Sequence, residues 1–324
     1  MHGQLYKVRE VIELIENGEL LVLAGDKRLL DELPSGNWIG GTTPYFAEPD
    51  GLRFNVDKIF VRRINNFINY KIKTYDVNSI NDIVNDSYNN GYTILVLPPF
   101  TDIHYKYALE AKNMAGITNN PITGWVAAFF LNSDDIGKVY NGLNSEKLDN
   151  KAVALHVELP DNKKAEIRIT NIYKELPDSP IIEFDHDGFD TEYCFINGEK
   201  VNFVDYIKEN NINTRFPLVT ETFGMKTNIS FKNVKDGRVF FYAPFFKNKK
   251  YKFTHRIDNY IHKLELDFTQ IKANIEFSCN CILNYVNNDL LPEKLRNVYN
   301  IVTFGEIAYI LLNQTMVNLV VIDK

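Results

Sequence analysis

The sequence predicts an α/β to α+β protein built as two halves, with large mixed and antiparallel sheets flanked by helices. Three observations lead there. The chain has 324 residues and is 45% hydrophobic, beyond the length at which single cores tend to split, about 250–300 residues. Apolar runs such as Ile94 to Leu97 are continuous over strand length, as in a strand buried on both faces. From Lys138 onward, strand and helix no longer alternate, and strand follows strand with turn signals between them.

The elements follow in order. Leu5, Val8, Val11, Ile12 and Ile15 recur every three or four residues, predicting an amphipathic helix over 4–18 that ends at Gly18. Leu20 to Ala24 reads as a strand. Asp26 is placed to cap a short helix, because its carboxylate can accept from the free amides of the first turn, and Pro34 stops that helix. Segment 36–46 joins a short apolar strand to Gly40-Gly41 and to Thr42-Thr43. Strands are expected over 53–62 and 68–75, a helix from Val77 to Tyr88 and a buried strand over 92–97. Thr101 or Asp102 caps a helix that carries His104, with Gly116 closing it, and another apolar strand crosses Gly124 and Trp125.

The second stretch predicts strands at 151–159, 165–173, 181–185 and 191–196, an Asn197-Gly198 turn, and a helix over 203–209. Strands on either side of Asp236-Gly237 form a hairpin. A helix over 258–273, a strand at 277–281, a helix near Pro292 and two final strands complete the chain.

Composition narrows the function. A formal charge of −6 opposes general nucleic-acid binding, which depends on dense cationic contacts to phosphate. No apolar run reaches the roughly 18–20 residues of a membrane helix, so no membrane insertion is expected. The opening residues carry no apolar leader, and three cysteines, Cys194, Cys279 and Cys281, are too few for a disulfide framework. A cytoplasmic protein with free thiols is the expectation.

Several residues could carry chemistry. Glycines at 40 and 41 would let backbone amides approach a ligand, and Thr42 and Thr43 add donors, but neither a P-loop lysine nor a G-x-G-x-x-G spacing is present. A tight bend between packed strands is the alternative. Asp185, Asp187 and Asp190 surround His186 as in a calcium loop, without the later bidentate glutamate, so a polar turn is favoured. Cys279-x-Cys281 puts two sulfurs on one strand face but lacks a second ligand pair, and buried small side chains are favoured over a metal. Ser278, Cys279 and Glu306 suggest a hydrolase, yet no nucleophile elbow accompanies them. His104 follows a strand end, where crevices form in α/β sheets.

The short segments Gly41-Thr42-Thr43, Ile122-Thr123-Gly124-Trp125, Ala152-Val153-Ala154-Leu155, Asn197-Gly198, Phe216-Pro217-Leu218, Phe277-Ser278-Cys279, Gly305-Glu306 and Asn313-Gln314-Thr315 stand in one order along the chain. In that order they resemble the FIST (F-box and intracellular signal transduction) family of bacterial sensory domains, over about residues 20–322. The resemblance implies an N-terminal-like domain over 1–190 and a C-terminal-like domain over 191–324. It implies a stand-alone sensor that binds a small molecule, an amino acid or related metabolite, and signals through a separate protein. The expected ligand contacts are Trp38, Gly40, Gly41, Thr42, Thr43, Phe100, His104, Trp125, Arg215, Cys279 and Glu306. Asn280-Cys281 stands where the family often has an arginine, so that contact is missing. One branch of the family holds haem through an axial histidine, but no histidine here matches that ligand, and no cofactor is expected. An enzyme, hydrolase or transferase, using Cys279 or His104 with Glu306 is the alternative, and a non-catalytic interaction scaffold is a third.

Overall fold

The computed structural model describes residues 3–48, 51–269, 271, 274–288 and 300–324. Its class is α+β: seven helices and 43% strand among the described residues, in several mixed and antiparallel sheets. The helix expected near Pro292 and the end of the helix expected over 258–273 lie outside the described residues.

Three six-stranded sheets dominate. The first runs Gln4–Tyr6, Ile59–Arg63, Leu21–Gly25, Trp38–Thr42, Val139–Asn141, Glu146–Leu148, with Leu21–Gly25 parallel to Trp38–Thr42. The second runs Ile310–Leu312, Glu306–Ala308, Ile122–Val126, Gly91–Leu97, Ala152–Glu158, Asn69–Tyr75, with Gly91–Leu97 parallel to Ile122–Val126. The third runs Lys163–Thr170, Met316–Asp323, Asn274–Cys281, Asn300–Thr303, Tyr45–Glu48, Gly51–Phe54. Strand pairing therefore crosses residue 190 in two sheets: Lys163–Thr170 pairs with Met316–Asp323, and Ile122–Val126 with Glu306–Ala308.

Small residues set the sheet spacing. A methyl on Gly41 would sit 2.6 Å from Val96 Cγ1 and 3.0 Å from Trp125 Nε1, so the first and second sheets touch there because that residue lacks one. On the far side of Trp125, its ring stacks on Phe277 of the third sheet at 5.4 Å. One apolar core runs through all three layers, from Val22 and Ile39 through Leu95 and Trp125 to Phe277 and Leu319.

Residues 182–253 build a separate aromatic core from three-stranded sheets and the helix Phe203–Glu209. Phe184 and Phe245 stack at 4.0 Å in its centre. Its turns follow the local chemistry. Asn197 and Gly198 both have positive φ, 50° and 88°, in the tight turn joining Ile196 to Glu199. Asp236 and Gly237 do the same between Lys235 and Arg238. Asn202 accepts from Asp205 N at 3.1 Å and caps the helix.

Several expected elements differ in extent. The helix predicted over 4–18 is a three-residue edge strand followed by helix Val8–Glu16, since the apolar period fits only the second part. The predicted 77–88 helix shrinks to a 3₁₀ turn and one short helix ending at Asp86, after which Ser87 takes extended backbone, ψ 149°. Gly116 does not close the His104 helix, which ends at Glu110 and continues as a 3₁₀ turn.

Candidate functional site

Two clefts open where strand ends converge. The first, about 130 Å³, lies beyond the carboxyl ends of the parallel pair Leu21–Gly25 and Trp38–Thr42, between Asp26 to Arg28 and Ala128 to Phe130. Thr42 and Thr43 line it, but both hydroxyls are occupied. Thr42 Oγ1 accepts from Lys138 N at 2.9 Å, and Thr43 Oγ1 donates to Val302 O at 2.6 Å. Of its charged groups, Arg28 pairs with Asp26 and Lys27 with Asp31, while Asp135 accepts from Ser133 Oγ at 3.0 Å.

The second cleft, about 240 Å³, is walled by Phe100, Phe129, Tyr242, Phe304, Ile282 and Leu283, with Leu131 and Lys232 completing it. Phe129 lines both clefts. Chain from well before residue 190 and well after it meets here.

The Phe100 turn is built from its own sequence. Leu97 ends a fully buried strand, and Pro98-Pro99 cannot continue the ladder. Phe100 then takes the left-handed backbone, φ 57°, a costly conformation for a bulky residue. Its amide donates to His104 Nδ1 at 3.1 Å, while Thr101 Oγ1 donates to Pro98 O at 3.0 Å. Phe100 stays 44% exposed at the rim. His104 is buried beneath it, and burial, then the Lys232 ammonium, pulls its pKa down to about 4. The imidazole is thus neutral at physiological pH, with Nδ1 free to accept.

Lys232 leaves the strand Phe231–Lys235 toward these rings. Its ammonium sits 4.8 Å from the Phe100 ring centre and 6.0 Å from that of Tyr242. Lys232 is exposed on its strand and, among the described residues, has no carboxylate partner; partial desolvation against the rings, then nearby Lys235, lowers its pKa.

The other expected contacts are elsewhere. Trp38 is buried beneath helix Val8–Glu16, donating Nε1 to Pro34 O at 3.0 Å, and lines neither cleft. Gly40 and Gly41 lie in a strand paired on both sides, and the space above Gly41 is filled by Trp125. Trp125 is wholly enclosed. Arg215 donates to Val286 O at 3.2 Å, and its own carbonyl accepts from Gln314 Nε2.

Cys279 and Glu306 share the inner core with Trp125. Cys279 Sγ donates to Gly124 O at 3.3 Å, and Thr315 Oγ1 donates to Glu306 Oε2 at 2.9 Å. Burial, and next the Glu306 carboxyl, raises the Cys279 thiol well above its ordinary range, which makes it a poor nucleophile. Burial likewise raises Glu306. His104 bonds to neither group. The three cysteines are free and buried.

The Asp185–Asp190 turn directs its carboxylates apart. Asp185 meets His186, Asp187 takes Lys112 and the Lys247 amide, and Asp190 takes Arg238. No group of three or more ligating side chains suited to a metal occurs among the described residues. No described helix is long and apolar enough to cross a membrane.

Sequence reasoning missed Lys232, Tyr242, Phe129 and Phe304 as a set. They come from four segments, and the signal available was one: a lysine beside Phe231 in a hairpin whose other strand carries Phe240, Phe241 and Tyr242.

The fold and these clefts define an α+β protein with a small aromatic cavity where distant parts of the chain converge. Residues 6–322 match a family of unknown function (DUF6976), and the chain belongs to it. A search of curated proteins finds no match.

Proposed function

We propose that the protein binds a small organic molecule in the Phe100–Lys232 cleft and serves as a stand-alone sensory module. The observation that carries this reading is the cleft. It is about 240 Å³, mostly apolar, and carries at its rim a residue held in a strained backbone. Such a volume exceeds the roughly 150 Å³ of a cavity that admits benzene. The collinear segments that resemble FIST domains support a sensory role, with the bound state passed to a separate protein. The Phe100 turn is the element that could report occupancy. The Phe100 amide is held by His104 Nδ1 and the turn is closed by Thr101 Oγ1 on Pro98 O, and a ligand that prefers one arrangement of that turn shifts its population.

A thermal-shift screen of metabolites tests the proposal, because a ligand of the native state raises Tm by mass action. One class of small organic molecule is expected to raise Tm, and Leu131→Trp, which fills the rim, should abolish that rise. If every class leaves Tm unchanged, or if the rise survives Leu131→Trp, the cleft is not the binding site.

A further inference from the structure

We infer that the ligand of the Phe100–Lys232 cleft is an organic anion with an aromatic or otherwise apolar body, its carboxylate paired with the Lys232 ammonium. The inference rests on the proposal that this cleft binds a small molecule, and it adds the charge and shape of that molecule.

Four side chains of the wall, Phe100, Phe129, Tyr242 and Phe304, are aromatic, and among the described residues Lys232 is the only charged one lining it. Three of the rings also contact one another: Phe129 and Phe304 edge-on at 4.9 Å, and Phe100 against each at 6.4 and 6.3 Å. Such walls favour a flat apolar body, which gains offset or edge-to-face contacts in addition to burial. Lys232 is held between Phe100 and Tyr242, with no carboxylate of the described chain beside it. Lys232 is an exposed residue of its strand, but its ammonium lies over the Phe100 ring with no counter-charge of the described chain, so an anion whose apolar body occupies the cleft can take a charge-assisted hydrogen bond from it.

The same arrangement disfavours a free amino acid. Its α-ammonium would enter a site whose one described charged group is another ammonium, and no described lining side chain carries an acceptor charge to receive it. The amino-acid expectation raised by the family resemblance is thereby narrowed to deaminated relatives: an aryl or alkyl carboxylate.

The test is titration calorimetry on the full chain with three probes of one shape: 3-phenylpropionate, 3-phenylpropanol and 3-phenylpropylamine. Each is run on the wild type, Lys232→Met and Leu131→Trp, with folding of each variant checked by near-UV circular dichroism. The carboxylate should bind the wild type at least ~10-fold more tightly than the alcohol, and the amine should bind weakest. Lys232→Met, which keeps an apolar stem, should erase that preference while retaining alcohol binding. Leu131→Trp should weaken carboxylate and alcohol alike. Equal affinities for carboxylate and alcohol in the wild type, or a preference that survives Lys232→Met, would overturn the anion inference and leave the cavity reading standing. If no probe binds, or Leu131→Trp changes nothing, both fall.

Discussion

At the scale of single residues, the burial of Glu306 has consequences that pH can expose. Burial raises its carboxyl pKa above the ordinary 4.5, so the folded state holds the proton to higher pH than the unfolded chain does. The stability this contributes is full below pH 4.5 and is lost as pH rises toward the folded value. A glutamine side chain at this position would imitate the protonated acid at every pH. Glu306→Gln should therefore match the wild-type Tm near pH 4 and exceed it by a margin that grows through pH 7. Parallel Tm curves for the two proteins would show that Glu306 titrates normally. Glu306 was legible in the sequence as a residue of interest, but its depth was not. A Gly-Glu pair reads as an exposed turn, and only the pairing of Glu306 with Trp125 across two strands encloses it. Lys232 was hidden for the opposite reason. Phe231-Lys232-Asn233-Val234-Lys235 marks it as a surface lysine, which it is, but the rings it meets at Phe100 and Tyr242 lie 132 and 10 residues away and leave no local trace.

Single elements are legible where capping or turn chemistry is local. Asp26 accepts from Arg28 N at 2.9 Å and starts its helix as expected, and the two hairpin turns carry the left-handed pairs that Asn-Gly and Asp-Gly permit. Elements whose limits depend on what they pack against are not, as with the helix expected over 77–88. The strand Ile122–Val126 shows how strictly some positions are held. Gly124 has φ 149°, and a methyl there would fall 1.8 Å from Leu95 O in the parallel neighbour. Backbone cannot yield as a flexible side chain can. Gly124→Ala should cost about 3 kcal/mol or more, seen as a large fall in the denaturant midpoint, whereas Gly18→Ala, with open space around it, should cost about 1 kcal/mol through its positive φ alone. Equal effects at the two positions would contradict the close strand approach.

For the whole molecule, the α+β class was legible from texture, because continuous apolar runs and alternating hairpins differ in period. The pairing of distant strands was not legible, since no local signal says that Ile122–Val126 adjoins Glu306–Ala308. Those pairings predict how the chain divides. A fragment of residues 1–190 lacks the partner of Lys163–Thr170 and one of the two partners of Ile122–Val126, so it should remain unfolded or aggregate, as judged by circular dichroism and gel filtration. A monomeric fragment with a cooperative melt would show instead that these sheets tolerate open edges.

The same strand order governs how the protein is made. Met316–Asp323 lies inside the third sheet, with Lys163–Thr170 on one side and Asn274–Cys281 on the other. A ribosome delivers Lys163–Thr170 long before its neighbour, at about 5–20 residues per second. During that interval the nascent sheet presents unpaired amides and carbonyls, a template for intermolecular pairing. Topology thus leaves that edge open until the late strand is made, a window in which intermolecular pairing competes with folding.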